Sequence, residues 1–254
     1  MNGGVKIKGQ NASTGWMIYF VFTITVIGGV MAPSISIPLF LLARIFPRIQ
    51  PFADRVLQSG VALLLKVQPW LKADGQIHFP EPTQGMAPGC LLISNHRSHL
   101  DAFVLLSQVK GVRILAKRTL FFVPFLGVMM FLSRHIPTRR GRLDSFWKAM
   151  DEVRKRLQQG ETVHVFPEMT RCPPGFQGTQ VFSPAPFLCA MQQRSWIVPI
   201  AFKGTDDVWP KGHVKLRPGQ KVQVKCLDPI DPAQFATAQA LKETVQQRIN
   251  EALV

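Results

Sequence analysis

Between Trp16 and Ala43 the chain carries no charged side chain, and no other feature limits its folding more. A bilayer-spanning helix needs roughly 20 apolar residues, so the length suffices. The interior is less simple. Gly28-Gly29, then Pro33 and Pro38 with serines between them, interrupt the run, and each proline removes a helix hydrogen bond. Two arrangements fit: one helix spanning from about Trp16 to Met31, or two shorter helices forming a hairpin that dips into one leaflet. No small-residue cleavage site follows the apolar core, which argues against a signal peptide. Arg44, Arg48 and Arg55 come next, suited to anionic head groups on a cytoplasmic face.

The formal net charge is +15 and the pI near 10.3, although charged residues make up only 18% of the chain. Residues 110–160 hold 12 Lys/Arg against 3 Asp/Glu, a net +9. Such a surface calls for an acidic partner: nucleic acid, an anionic membrane or an acidic substrate. Nucleic acid is disfavoured. No reading module is present, and the aromatics of the basic block, Phe121, Phe122, Phe125 and Phe131, sit in an apolar run rather than among the basic residues as stacking platforms. The four cysteines are scattered without a C-x-x-C pair, which gives neither a disulfide framework nor a zinc finger.

From Gly89 onward short apolar runs alternate with helical periodicity. Cys90–Ser94, Val112–Ala116, Thr162–Phe166 and Ile197–Phe202 read as strands. About His99–Ser107, Pro124–Ser133 and Leu143–Gln159 read as helices. Val214–Leu216 and Val222–Cys226, around Pro218-Gly219, read as a hairpin, and Asp231-Pro232 as the start of a terminal helix. The fold class is therefore α/β, a mostly parallel or mixed sheet flanked by helices. Residues 1–60 are expected to form a membrane-associated helical segment and 61–254 the α/β domain. His96, Lys117 and Glu168 each follow the end of an expected strand. If those strands run parallel, all three reach one sheet edge, where ligands bind in open α/β sheets.

The run Ile93-Ser94-Asn95-His96-Arg97-Ser98-His99-Leu100-Asp101 carries the chemistry. It places an imidazole at a strand exit and a carboxylate on the first turn of the next helix. A carboxylate bonded to one ring nitrogen fixes the tautomer and leaves the other nitrogen to take a proton. Two other readings exist. Ser98 to Asp101 also spells a capping box. His96, His99 and Asp101 could suggest a metal site, but no further cluster supports one.

This N-H-x-x-x-x-D pattern resembles the glycerolipid acyltransferase family, best known from the lysophosphatidate (1-acyl-glycerol-3-phosphate) acyltransferases. Three further blocks stand in the family's order. They are Ala116 to Gly127 continuing to Arg134–Arg140, then Val165-Phe166-Pro167-Glu168-Met169-Thr170-Arg171, then Ile197 to Phe202. The chain departs from the family pattern at Thr119, usually glutamate, and at Met169, usually glycine. Phe182-Ser183-Pro184-Ala185 replaces a Phe-Lys-x-Gly block. The resemblance implies transfer of a fatty acyl group from acyl-CoA or acyl-ACP to a lysophospholipid, with lysophosphatidate the default acceptor. His96 would be the general base and Asp101 its orienting partner. Arg140, with Lys117 as second candidate, would hold the acceptor phosphate, because a guanidinium offers a planar fork to phosphate oxygens. Glu168, Thr170 and Arg171 would position the acceptor. No metal or organic cofactor is required. The implied partners are anionic membrane lipids, the lysophospholipid and the thioester carrier, on the cytoplasmic face of the inner or cell membrane. Thr119 and Met169 leave another lysophospholipid or an amino-acid-linked lipid as an alternative acceptor. Two further rivals remain: a non-catalytic basic membrane-surface protein, and a lipid hydrolase, which the absence of a G-x-S-x-G elbow disfavours.

Overall fold

The computed structural model describes residues 13–77, 89–123, 126–139 and 141–254. Helix α1 (Thr14–Met31) continues through a π-helical turn, Ala32–Ser36, into α2 (Ile37–Ile45), and α3 (Gln50–Lys66) returns along them. Then follow β1 (Lys72–Asp74), β2 (Leu91–Ser94), α4 (Leu100–Gln108), β3 (Arg113–Lys117), α5 (Leu126–Leu132) and β4 (Ile136–Thr138). The chain closes with α6 (Leu143–Gln158), β5 (Val163–Val165), α7 (Ala185–Gln193), β6 (Ile197–Lys203), α8 (Thr205–Val208), β7 (Lys221–Cys226) and α9 (Ala238–Leu253).

The strands form one sheet in the order β1-β7-β6-β2-β5-β3-β4. Only the β6–β7 pair is antiparallel. This is the mixed α/β fold the alternation of elements implies. Strands buried on both faces need apolar residues at every position, and all four residues of β2 are buried. Leu91 and Ile93 point into a core shared with α6, α7 and α9, while Leu92 joins a second core with α4.

The prolines of the uncharged run do not turn the chain back. Thr14–Ile45 is one helical run of 32 residues, long and apolar enough to cross a membrane by length and composition. Pro33 is absorbed by the π turn, which widens the helix around the missing amide. Of the two arrangements the uncharged run allowed, the hairpin within Trp16–Ala43 does not form: the partner of both α1 and α2 is α3. One side of α1 packs on the α/β body, with Phe20 buried edge-to-face against Trp70, Phe103 and Trp209. Ile18, Phe22, Val26 and Val30 are exposed. The boundary expected at residue 60 falls inside α3.

Other local expectations are revised. Val214 is exposed and Leu216 only bridges Ser13, so no hairpin joins them to β7. Lys221–Cys226 pairs instead with β6 and with β1, a strand the sequence pattern did not reveal. Strand β4 and helix α7 were also hidden. The terminal helix starts later than Asp231, at a Thr237 cap whose hydroxyl accepts from Ala240 N. On α6, helical spacing puts Leu143 and Trp147 on one apolar face with Phe146, Met150, Val153 and Leu157, yet they are 77% and 56% exposed.

The helical N-terminus is fastened to the sheet by buried charge. Arg113, at the start of β3, donates to both oxygens of Asp54 on α3 (3.0 and 3.1 Å), to Glu161 (2.8 Å) and to the Ser133 carbonyl. Burial disfavours its charge, but the bonds to the two carboxylates outweigh that and raise its pKa above the ordinary value. Removing one partner of a buried ion pair costs about 3–5 kcal/mol because the other charge stays behind. Asp54→Ala is therefore expected to lower the thermal midpoint of the detergent-solubilised protein by many degrees, measured by calorimetry. An exposed control such as Asp144→Ala is expected to leave it in place.

Candidate active site

The loop after β2 is held by side chains within its own motif. Asn95 is fully buried and pairs both ways with the backbone of Phe202 on β6 (2.8 Å each), which fixes where β2 ends. The His96 ring nitrogen Nδ1 lies 2.9 Å from Asp101 Oδ2, which also accepts the backbone N–H groups of Arg97 (2.7 Å) and Ser98 (2.8 Å). An oxygen accepting two amide hydrogens presents lone pairs to the ring, so Nδ1 carries the hydrogen and Nε2 is the basic nitrogen. Ser98 Oγ accepts from Leu100 N at 3.3 Å. One carboxylate oxygen thus takes both the bond a capping box returns to its first residue, from Ser98 N, and the imidazole, while the Asp101 amide bonds the Ser98 carbonyl rather than its hydroxyl. The other oxygen, Oδ1, is buried with no hydrogen-bond partner among the described residues.

Strand β5 supplies the floor. Phe166 stacks on the His96 ring at 3.8 Å between centroids and 20° between planes. His164, two residues back, meets Phe166 edge-on and bonds Ser94 Oγ at 2.9 Å. Glu168 is buried, with its carboxylate fully employed. Oε1 accepts His96 N (2.8 Å), and Oε2 accepts Cys172 Sγ, Gln180 N and Gln180 Nε2 at 2.9–3.1 Å. The bonds to Glu168, after burial itself, drive the Cys172 thiol up to about 12, so it stays protonated.

These side chains open onto a cavity of about 800 Å³. Ile114, Leu115, Leu120, Phe146 and Met169 make an apolar wall. Lys117, Arg139, Arg142, Arg171 and Lys211 bring positive charge to the lining, with Thr119 and Thr170 also present. Of the candidates from sequence, His96, Lys117, Glu168, Thr170 and Arg171 line this cavity, while Asp101 lies buried behind His96. Lys117 is the last residue of β3, and the parallel pairing of β2, β5 and β3 puts these strand ends on one edge. Arg140 lies outside the described residues. Met169 adopts φ 57°, a left-handed conformation that costs a non-glycine residue about 1–2 kcal/mol. The backbone keeps a glycine-like shape at a position that now carries a long apolar side chain into the lining.

Sequence reasoning missed Lys211, His164 and Trp209. His164 sits within an expected strand, where it reads as ordinary strand content, while Trp209 and Lys211 come from the segment after α8, which carries no spacing that marks them. Trp209 is latched to the motif by Ser98 Oγ, which donates to its carbonyl at 2.8 Å, and its ring lies beside His99. Among the described residues no group of three or more metal-ligating side chains occurs.

The sequence model of the acyltransferase family matches residues 74–203, just over half of the 254 residues. The chain belongs to the acyltransferase family. It is 30% identical over 152 residues to a chloroplastic 1-acyl-sn-glycerol-3-phosphate acyltransferase of Brassica napus, covering 58% of this chain and 42% of that one. A bacterial 1-acyl-sn-glycerol-3-phosphate acyltransferase, from Pseudomonas aeruginosa, is 31% identical over 134 residues, covering 51% and 50%. The chain spans about half or less of the length of these relatives. Among solved structures, the 1-acyl-sn-glycerophosphate acyltransferase PlsC of Thermotoga maritima superposes with a TM-score of 0.77. At 22% identity it covers 93% of this chain and 92% of its own, and shows that the fold is shared.

Burial near the site makes the fold acid-sensitive. His99 is lowered to about 4 by burial, then by Arg171 and His96. His164 is lowered to about 3 by burial and by His96. Each binds a proton in the unfolded chain below its ordinary value near 6.5 but not in the folded one. Stability is complete above that value and falls as pH drops toward 4. The thermal midpoint is expected to decline steadily over that interval, with a shallower slope in His164→Val.

Proposed function

We propose that this chain transfers a fatty acyl group from an acyl thioester, acyl-CoA or acyl-ACP, to the free hydroxyl of lysophosphatidate, giving phosphatidate. The observation that carries the reading is the sharing of one cavity by His96, oriented through Asp101, and by a set of lysine and arginine side chains. Named relatives with the same acceptor support it.

The chemistry follows from the geometry. A hydroxyl is a weak nucleophile at neutral pH, so Nε2 of His96 takes its proton as the oxygen attacks the thioester carbonyl. The imidazolium so formed meets the Asp101 carboxylate 2.9 Å away, whose Oδ1 makes no competing bond among the described residues. Collapse of the tetrahedral adduct breaks the C–S bond. The thiolate leaves with the proton that His96 held. Lys117, Arg171 and Arg140 are assigned to the phosphate, and Thr170 to the glycerol. Glu168, bonded to the His96 amide, is assigned to holding the base's backbone. The apolar wall takes acyl chain. No metal or organic cofactor is assigned a part.

The partners fit the same reading. The exposed apolar side of α1, together with Phe122, Phe131, Leu143 and Trp147, would rest in the interfacial layer of an anionic membrane. The cytoplasmic face of the inner or cell membrane is the assigned location, with α1 to α3 as the membrane-associated segment and the chain from β1 onward as the acyltransferase domain. Packing of α1 on the body favours a helix lying in one leaflet over a free span.

The test offers labelled acyl-CoA and acyl-ACP with a panel of lysophospholipids to wild type and to His96→Ala. Diacyl product from lysophosphatidate that vanishes in the variant is expected; equal product from both proteins would remove His96 as the base. Labelled free fatty acid in place of diacyl lipid would point to hydrolysis instead. Asp101→Asn is expected to lower kcat by about 10²–10⁴. Its KM should change little, because Asp101 does not line the cavity.

A further inference from the structure

Lys211 reaches the cavity from the segment between α8 and β7, beyond the last family block, which ends at Phe202. Its Nζ donates to Thr170 Oγ1 at 3.2 Å and to the Arg171 carbonyl at 2.6 Å. An ammonium has three hydrogens. Two are committed to neutral oxygens, so neither contact cancels the charge, and the side chain itself lines the cavity. The only acid lining that cavity among the described residues is Glu168, whose carboxylate already accepts from His96, Cys172 and Gln180. The lysine therefore adds net positive charge to a lining that also holds Arg171 and His99.

Its position is built rather than incidental. Two residues earlier, Trp209 is tied through its carbonyl to Ser98 Oγ and through its indole N–H to the His213 carbonyl, closing a turn around Lys211. Phe20 of α1 packs on the same indole. The amide of Arg217 bonds back to Val208. A lysine that merely needed solvent would not be brought under such a clamp.

We propose that Lys211 is a phosphate-binding residue for the acyl acceptor, its third hydrogen and its charge meeting a phosphomonoester held jointly with Arg171. The proposal rests on the lysophosphatidate reading above and deepens it by naming a further residue that selects the head group. A terminal phosphate carries close to two negative charges and exposes three oxygens. A phosphodiester head group carries one charge and a bulky substituent, so the added cation selects the monoester. Lys211 does not touch the reacting atoms and takes no proton in the transfer.

The test measures KM in acyl transfer, and direct binding by thermophoresis in detergent, for lysophosphatidate and for lysophosphatidylcholine. Wild type is compared with Lys211→Met and Lys211→Arg, and the thermal midpoint of each protein is recorded. Lys211→Met is expected to weaken lysophosphatidate about tenfold in KM and in Kd, the worth of one hydrogen bond to a charged group. Binding of lysophosphatidylcholine is expected to stay close to wild type, and Lys211→Arg to recover most of the loss. Unchanged lysophosphatidate affinity in Lys211→Met overturns the proposal. So does equal weakening of both lipids together with a fallen midpoint, which would mark Lys211 as a staple of the Thr170–Arg171 loop. Wild type that binds lysophosphatidate through Lys211 without acylating it would sink the proposed reaction and leave this assignment standing. Acylation indifferent to Lys211 would do the reverse.

Discussion

One buried carboxylate oxygen organises the centre of this molecule. Asp101 Oδ2 receives the His96 ring and two successive backbone amides, so the loop that follows β2 and the first turn of α4 have a common centre. Because the same oxygen starts the helix and orients the imidazole, secondary structure and chemistry cannot be altered separately here. Glu168 makes a second clamp from β5, holding the His96 amide while Phe166 fixes the plane of the ring. The His96 imidazole is thereby restrained at its ring nitrogen, its face and its main chain by the side chains of Asp101, Phe166 and Glu168.

The α/β architecture was legible because parallel strands buried on both faces leave continuous apolar runs, as in Leu91–Ile93 and Ile197–Phe202. The edge on which His96, Lys117 and Glu168 gather followed from those runs. What failed to read has physical causes. Strands β1 and β4 are three residues long, too short for any periodicity to emerge. The prolines in Thr14–Ile45 looked like breaks, yet a π turn accommodates them without reversing the chain. Leu143 and Trp147 obeyed helical spacing but ended exposed, because periodicity reports one apolar face and not what covers it. Lys211 was invisible for a different reason. Its placement depends on Trp209 meeting Ser98, a contact across 111 residues of sequence.

The departures from the family pattern have unequal structural weight. Thr119 is exposed at the cavity mouth, where a side chain can change without disturbing the fold. Met169 is different, because the backbone around it retains the left-handed turn that glycine adopts freely. The strain is tolerated where Glu168 and the Met169 N–H···O=C bond to Phe166 over-determine the loop, and the thioether packs against the core that α6 shares. Selectivity is therefore expected to be written in the lining of the cavity rather than in the placement of His96.

The bond between Ser13 N and the Leu216 carbonyl, with Phe20 set against Trp209, joins the first helix to the segment that carries Lys211. On the proposed docking of α1 in a lipid layer, these two contacts would tie the height of the cavity mouth to the depth of the helix, which would then serve as a gauge levelling the cavity with the plane of the lipid head groups.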